Sequence, residues 1–355
     1  MSSKKSKSGE AAGLKMDDVA RLAGVSKSTV SRALADSPLV NEETKKKIRA
    51  LAARHNYTID QRARNFRLRQ TNAITVAIPL MHDTDQHVSD PFFLDLLGHI
   101  ADALSERGYD LLLSKAIPQE DDWLEKLTAT RRTDGLILMG QSTQHEAINR
   151  FARYYKRIVV WGAAIPGQRY TSVGSDNRGG AYAATRHLLS LGRRRIVFLG
   201  DRRLPEIGQR HAGYVAALED AGLAASEDLL VTVHFSSEAA YRGMRAFLAR
   251  GTAIDAVVAS SDVIAMSAIR ALRESGHDVP EDVAVVGYDD IGLAAYVEPP
   301  LTTVRQDTAR AAVLLVESLL ARIAGRPAPS SVIASTLVVR KSCGAATRSA
   351  VQALP

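Results

Sequence analysis

The chain has 355 residues, 46 % of them hydrophobic and 24 % charged, with nine histidines and a single cysteine, Cys343. That length exceeds one ordinary domain and the apolar content allows a sizeable core; one cysteine excludes an intrachain disulfide and fits a reducing compartment. No run reaches the ~18 apolar residues of a membrane span, and Met1–Glu10, rich in Lys and Ser with no apolar run behind it, reads as the start of a disordered basic tail over 1–14 rather than a secretory leader. The expected location is therefore cytoplasmic.

Charge is distributed unevenly. Residues 1–70 hold 16 Lys and Arg against 7 Asp and Glu, a formal +9 in a chain whose total is +7. The basic excess lies in the first fifth of the protein, the electrostatic footprint expected for a polyanionic partner.

Residues 15–58 show short helical patterns and no strand. Asp17–Ala23 predicts one helix. Ser26–Ala35 predicts a second with Ser26 as its N-cap. Asn41 caps a third, whose positive first turn receives Glu42 and Glu43. Ala20 is small where two helices must cross, Gly24 permits a left-handed turn between them, and Val30 packs back on the first helix. Together these offsets predict a helix-turn-helix domain. Residues 59–71 contain Arg62, Arg64, Arg67 and Arg69 and little apolar surface; this is a linker that folds only in the right company.

From Ala73 the period changes. Apolar runs at 73–80, 110–116, 135–140, 157–162, 195–200, 256–261 and 283–289 alternate with helical patterns at 92–107, 122–131, 146–155, 178–191, 207–221 and 263–275. Such alternation predicts a doubly wound parallel α/β body. A break near Tyr170–Asp176 divides it into two similar subdomains. No dinucleotide or phosphate-loop glycine pattern, no nucleophile elbow and no Cys/His metal spacing occurs. The expectation is a binding protein rather than an enzyme, with no cofactor.

The segments Asp18-Val-Ala, Ala23-Gly-Val-Ser, Thr29-Val-Ser-Arg and Tyr57, with Asp90-Pro-Phe-Phe, Asp134-Gly-Leu-Ile, Val286-Gly-Tyr-Asp-Asp and Pro299-Pro-Leu-Thr-Thr-Val-Arg-Gln-Asp, make the chain resemble the lactose/galactose repressor family across 15–343. The resemblance implies a DNA-binding transcriptional regulator with a periplasmic-binding-protein-like body. It places Lys27, Ser28 and Arg32 at base-reading positions, with Arg32 suited to a bidentate contact with guanine. Ser26, Thr29, Ser31 and Tyr57 match phosphate-contacting positions. The plain alternative for Lys27 and Arg32 is a solvated charged face. Many members cap the first helix with a threonine where this chain has Lys15. The linker resembles the family's hinge helix, with Phe66 as the minor-groove wedge and Ala63 one turn before it; the alternative is a flexible tether.

In the body, the resemblance implies three crossovers, near Gly174, Thr303 and Val332, so that one subdomain spans about 72–173 and 304–331 and the other about 174–302 and 332–343, with a tail over 344–355. The effector lies between them, with Phe92, Trp161, Arg210, Asp262, Asp289 and Gln306 as contacts. Arg donors and Asp acceptors together suit a sugar diol. The implied partners are a palindromic DNA operator, a small-molecule effector of sugar type and a second copy of the chain. A nucleobase, a sugar phosphate or a partner protein stays open as effector; for a phosphate, Lys115 and Arg178 are the candidate cations. No heptad-patterned tail follows the last strand, expected over Val332–Arg340, so the tetramer-forming helix of the lactose repressor is not expected.

Overall fold

The computed structural model describes residues 15–34, 36–55, 57, 71–79, 89–116, 118, 122–129 and 132–345. They fall in two compact units, residues 1–71 and 72–355.

Among its described residues the first unit has three helices, α1 (Met16–Ala23), α2 (Lys27–Leu34) and α3 (Glu42–Arg54). α1 starts without a threonine cap: the Asp18 carboxylate accepts the Lys15 N–H at 3.0 Å. Gly24 has φ = 71°, a left-handed conformation that a side chain would disfavour, and it ends α1 as a C-cap. Ser26 Oγ accepts the Thr29 N–H at 3.1 Å and Asn41 Oδ1 accepts the Thr44 N–H at 2.8 Å, so both expected N-caps form. Val19, Ala20, Ala23, Val30, Ala33 and Ile48 make the core. Ala20 and Val30 thus close the α1–α2 crossing that their spacing predicts.

The second unit contains two six-stranded sheets. The elements of the first sheet and its helices are β1 (Ala73–Pro79), α4 (Pro91–Ser105), β2 (Asp110–Ala116), α5 (Trp123–Ala129), β3 (Gly135–Met139), α6 (His145–Phe151), β4 (Ile158–Trp161) and β5 (Thr171–Ser175). The second subdomain follows with α7 (Asn177–Ser190), β6 (Ile196–Leu199), α8 (Pro205–Asp220), β7 (Leu230–Val231), α9 (Ser237–Leu248), β8 (Ala256–Ala259), α10 (Asp262–Glu274), β9 (Ala284–Asp289) and β10 (Thr302–Arg305). The chain then returns with α11 (Thr308–Ile323) and β11 (Ser331–Ile333), and ends with β12 (Thr336–Val338). The sheet orders are β11-β5-β4-β3-β1-β2 and β12-β10-β9-β8-β6-β7. Among the described residues every pairing is parallel except β10–β12. Central strands β1, β3, β4, β6, β8 and β9 are buried along their whole length, as expected of parallel strands covered on both faces.

Several expectations need correction. The break near Tyr170–Asp176 is the strand β5, paired on both sides, with β4 and with β11. The crossovers fall slightly later than expected. Gly174 still pairs with Val332 in the first sheet and Thr303 with Gly287 in the second. The chain therefore changes sheets after Ser175, between Arg305 and Thr308, and between Ile333 and Thr336. The last strand, expected over 332–340, is two short strands in different sheets. Helices α9 and α11 complete the architecture that the alternation of 73–289 leaves unfinished.

Candidate functional site

The head presents a polar helix face. On α2, Lys27, Ser28 and Arg32 are exposed and Ser31 is half-buried, and their spacing places them on one side of the helix. Val30 and Ala33 anchor the opposite side. Lys27 Nζ is held by Asp17 Oδ2 at 2.9 Å, which positions it but screens its charge. Ser26 Oγ lies 2.8 Å from both Ser28 Oγ and Thr29 Oγ1, so these hydroxyls form a cluster at the helix start. Tyr57 is half-buried against the same core. Ala63 and Phe66 lie outside the described residues.

In the body, a cleft opens between the two sheets. Five of the six residues expected to contact an effector line it: Phe92, Trp161, Arg210, Asp289 and Gln306. This is the position where doubly wound sheets bind ligands, beyond the carboxyl ends of the strands. Phe92 heads α4, after the Asp90 N-cap, whose carboxylate accepts the Phe92 N–H at 3.0 Å. Its ring packs on Trp161, at the end of β4, with centroids 6.0 Å apart. Phe93 faces Phe235 of the other subdomain at 6.4 Å, and both rings line the cleft.

Arg210, on α8, is the centre of the polar wall. Its Nε donates to Asn177 Oδ1 at 2.8 Å, and Nη1 donates to the Ser260 carbonyl. Nη1 lies 3.8 Å from Asp289 Oδ1, and the guanidinium carbon sits 3.7 Å from the centroid of the Tyr288 ring. Gln306 Nε2 donates to Asp289 Oδ1 at 2.6 Å. Burial pushes the Asp289 carboxyl well above the usual carboxylate range, against the pull of the Arg210 charge. Asp289 has φ = 121° and Asp290 has φ = 58°, strained values for residues with side chains. Asp290 is fixed by Arg305 and Arg340, each at 2.6 Å, so the turn that aims Asp289 into the cleft is clamped.

Asp262 is the exception. It does not line the cleft; its carboxylate is fully buried beneath β10, where it accepts from Thr303 Oγ1 and from the Ile291 N–H at 2.9 Å. Burial raises its pKa. Its role is to tie α10 to β10 and to the segment after β9, not to meet a ligand.

Four polar residues of the cleft escape sequence reasoning: Ser142, Ser175, Asn177 and Glu206. Ser175 Oγ is buried without a hydrogen-bond partner among the described residues, which marks it as a group a ligand would satisfy. Its signal was hidden because β5 does not read as a strand. Gly174, beside it, approaches Gly162 so closely that a Cβ would stand 2.1 Å from the Gly162 carbonyl oxygen.

Taken together, the helix-turn-helix head and the two-lobed body with a ligand cleft define a DNA-binding regulator that responds to a small molecule. Residues 15–60 match the profile of bacterial regulatory proteins of the lacI family, and residues 185–343 match a periplasmic binding protein-like domain. The chain is 32 % identical over 333 residues to the HTH-type transcriptional regulator CelR of Thermobifida fusca, covering 92 % of this chain and 97 % of that one. It is 30 % identical over 335 residues to the transcriptional repressor PurR of Pasteurella multocida, with the same 92 % and 97 % coverage. Among solved structures, a CelR–cellobiose complex superposes with a TM-score of 0.70 at 31 % identity, covering 93 % of this chain and 99 % of that one. The chain belongs to the LacI family of bacterial transcriptional regulators.

Proposed function

We propose that this regulator is a cytoplasmic, non-enzymatic repressor of carbohydrate-use genes, binding a two-fold operator as a dimer and controlled by a neutral glucoside or short oligosaccharide in the cleft. The observation that carries the effector reading is the juxtaposition of an Arg donor and an Asp acceptor 3.8 Å apart under the apolar faces of Phe92 and Trp161. Arg supplies only donors, while the Asp289 carboxyl, whose charged form burial disfavours, can accept and, when protonated, donate, so vicinal hydroxyls satisfy both while the rings cover the sugar's apolar face. The likeness to a regulator solved with cellobiose supports this class. No described helix is long and apolar enough to cross a membrane. Thermal unfolding of the full chain with cellobiose, ribose and hypoxanthine is the test. A ligand at 100 times its Kd adds about 2.7 kcal/mol of stability, and stabilisation by hypoxanthine alone would transfer the cleft to a nucleobase.

On DNA, Lys27, Ser28 and Arg32 read base edges, while Ser26, Thr29, Ser31 and Tyr57 set register on the phosphates. Phe66 is the minor-groove wedge, with Ala63 one turn before it. Arg32 is exposed, whereas Lys27 is tethered to Asp17, so Arg32 carries the larger share of discrimination. Arg32→Ala is expected to cost ~1–3 kcal/mol on the cognate operator and to relax preference at one base pair per half-site. Fluorescence anisotropy with base-substituted operators checks this; an equal loss on unrelated DNA would make Arg32 a phosphate contact.

A further inference from the structure

Two carboxylates occupy the first turn of α1, and they serve different ends. Asp18 works for the helix: it accepts the Lys15 N–H at 3.0 Å and pairs with Arg21 at 2.8 Å. Asp17, beside it, takes no part in that cap. Its partner is Lys27, ten residues on at the start of α2, whose Nζ lies 2.9 Å from Asp17 Oδ2. Asp17 Oδ1 has no partner among the described residues. Both side chains stand in solvent, Asp17 68 % and Lys27 48 % exposed. An exposed ion pair contributes little to stability, and the helix dipole, which favours an acid in the first turn, already has Asp18. Folding alone therefore does not require Asp17.

Lys27 shares the exposed side of α2 with Ser28 and Arg32. A carboxylate held against Lys27 Nζ enters the DNA interface with it. Beside a polyanion that carboxylate is repelled unless it finds a donor, and phosphate oxygens only accept. In the major groove the donors are the N4 amino group of cytosine and the N6 amino group of adenine. Lys27 adds a second constraint. With one N–H on Asp17, its ammonium keeps two for acceptors, and these must lie next to the amino group that Asp17 takes. A G·C pair offers both at once: guanine O6 and N7 accept from Lys27, and cytosine N4 donates to Asp17 Oδ1. An A·T pair offers adenine N7 and N6 but sets thymine O4, an acceptor, against the carboxylate.

We infer that Asp17 is a specificity-determining residue of the head: with Lys27 it forms one donor–acceptor unit that reads a single G·C pair in each half-site. This rests on the base-reading role proposed for the exposed side of α2. Arg32, further along α2, reads a different pair. Asp17 also repels every phosphate, so DNA that lacks the matching amino group is penalised rather than merely left unrewarded.

The experiment is enrichment of binding sites from random duplex DNA by the full chain, then fluorescence anisotropy at fixed salt on the enriched site and its single-pair variants. The wild-type chain is compared with Asp17→Ala, Asp17→Asn, Lys27→Met and Arg32→Ala. In the wild-type chain, replacing one G·C pair of each half-site by A·T is expected to weaken binding about tenfold or more. Asp17→Ala and Lys27→Met each reduce that factor to about threefold or less at the same pair, and the double variant does little more than either alone. Asp17→Asn, whose amide both donates and accepts, admits adenine there. Unrelated DNA binds Asp17→Ala more tightly than the wild-type chain, because a like charge has gone. The inference is overturned if Asp17→Ala keeps the wild-type preference at every pair, or if it changes affinity by the same factor on enriched and unrelated DNA. Arg32→Ala separates this outcome from the reading beneath it. If Arg32→Ala relaxes one pair and Asp17→Ala relaxes none, Asp17 alone is removed from recognition. If neither Arg32→Ala nor Lys27→Met relaxes any pair, the base-reading role of α2 falls and this inference with it.

Discussion

Replacing Arg210 by alanine is expected to abolish effector binding and to destabilise the body by roughly 3–5 kcal/mol, the cost of removing one partner of a buried ion pair. The magnitude follows from what the guanidinium touches. Asn177, the Ser260 carbonyl, Asp289 and the Tyr288 ring all lose their partner at once. Asp289 then keeps only Gln306 as a donor. Stability and binding separate in a double variant. Arg210→Met with Asp289→Asn removes both buried charges, and so recovers most of the stability while leaving a cleft without the donor–acceptor pair. Chemical denaturation and calorimetry on the single and double variants check both halves. Full effector affinity in either single variant would remove the pair from the binding site.

Much of this was legible in the sequence, and the misses have physical causes. The head was readable because its geometry depends on a few steric demands at fixed offsets: Ala20, Gly24 and Val30 allow few other arrangements. The central strands were readable because both faces are covered and every side chain must be apolar. β5 and β10 were not, since Thr171, Ser172, Thr302 and Thr303 are buried hydroxyl residues. Partners that periodicity cannot reveal satisfy the last two: Thr302 Oγ1 accepts the Arg340 N–H at 2.8 Å and Thr303 donates to Asp262. Asp262 was misplaced for the same reason. A carboxylate just after a strand end can turn into the cleft or under the sheet, and Thr303, 41 residues away, decides which. Glu206 was missed because α8 begins at Pro205, before the first apolar-periodic residue, so the turn that crosses the cleft fell in an expected loop.

Operator binding is expected to weaken steeply with salt, with a log–log slope of about −7 or steeper for a dimer. The number comes from counting cations that are free to meet phosphates. The formal +9 of residues 1–70 overstates that count, because the head spends charge internally. Lys45 is buried between Asp36 and Glu42, Arg49 pairs with Asp36, Arg21 with Asp18 and Lys27 with Asp17. Lys15, Arg32, Lys46 and Arg54 remain exposed and outside any ion pair among the described residues; Lys47 is exposed and unpaired too, but its Nζ is tied to the Ala23 carbonyl at 3.0 Å and is left out of the count. Two heads thus neutralise about eight phosphates, and each contributes about −0.9 to the slope; the linker arginines can only steepen it. The dimer that doubles the slope needs an apolar surface on the body. Leu293 and Tyr296, just after β9, are 56 % and 87 % exposed, an unusual concession to water unless a second copy covers them. Tyr296→Asp is therefore expected to shift the chain toward monomer in analytical ultracentrifugation. In the same variant the salt slope should fall to roughly half, since one head then engages one half-site. A wild-type slope shallower than about −4, or a Tyr296→Asp protein that stays dimeric with its slope intact, would mean that the heads do not act in pairs through this surface.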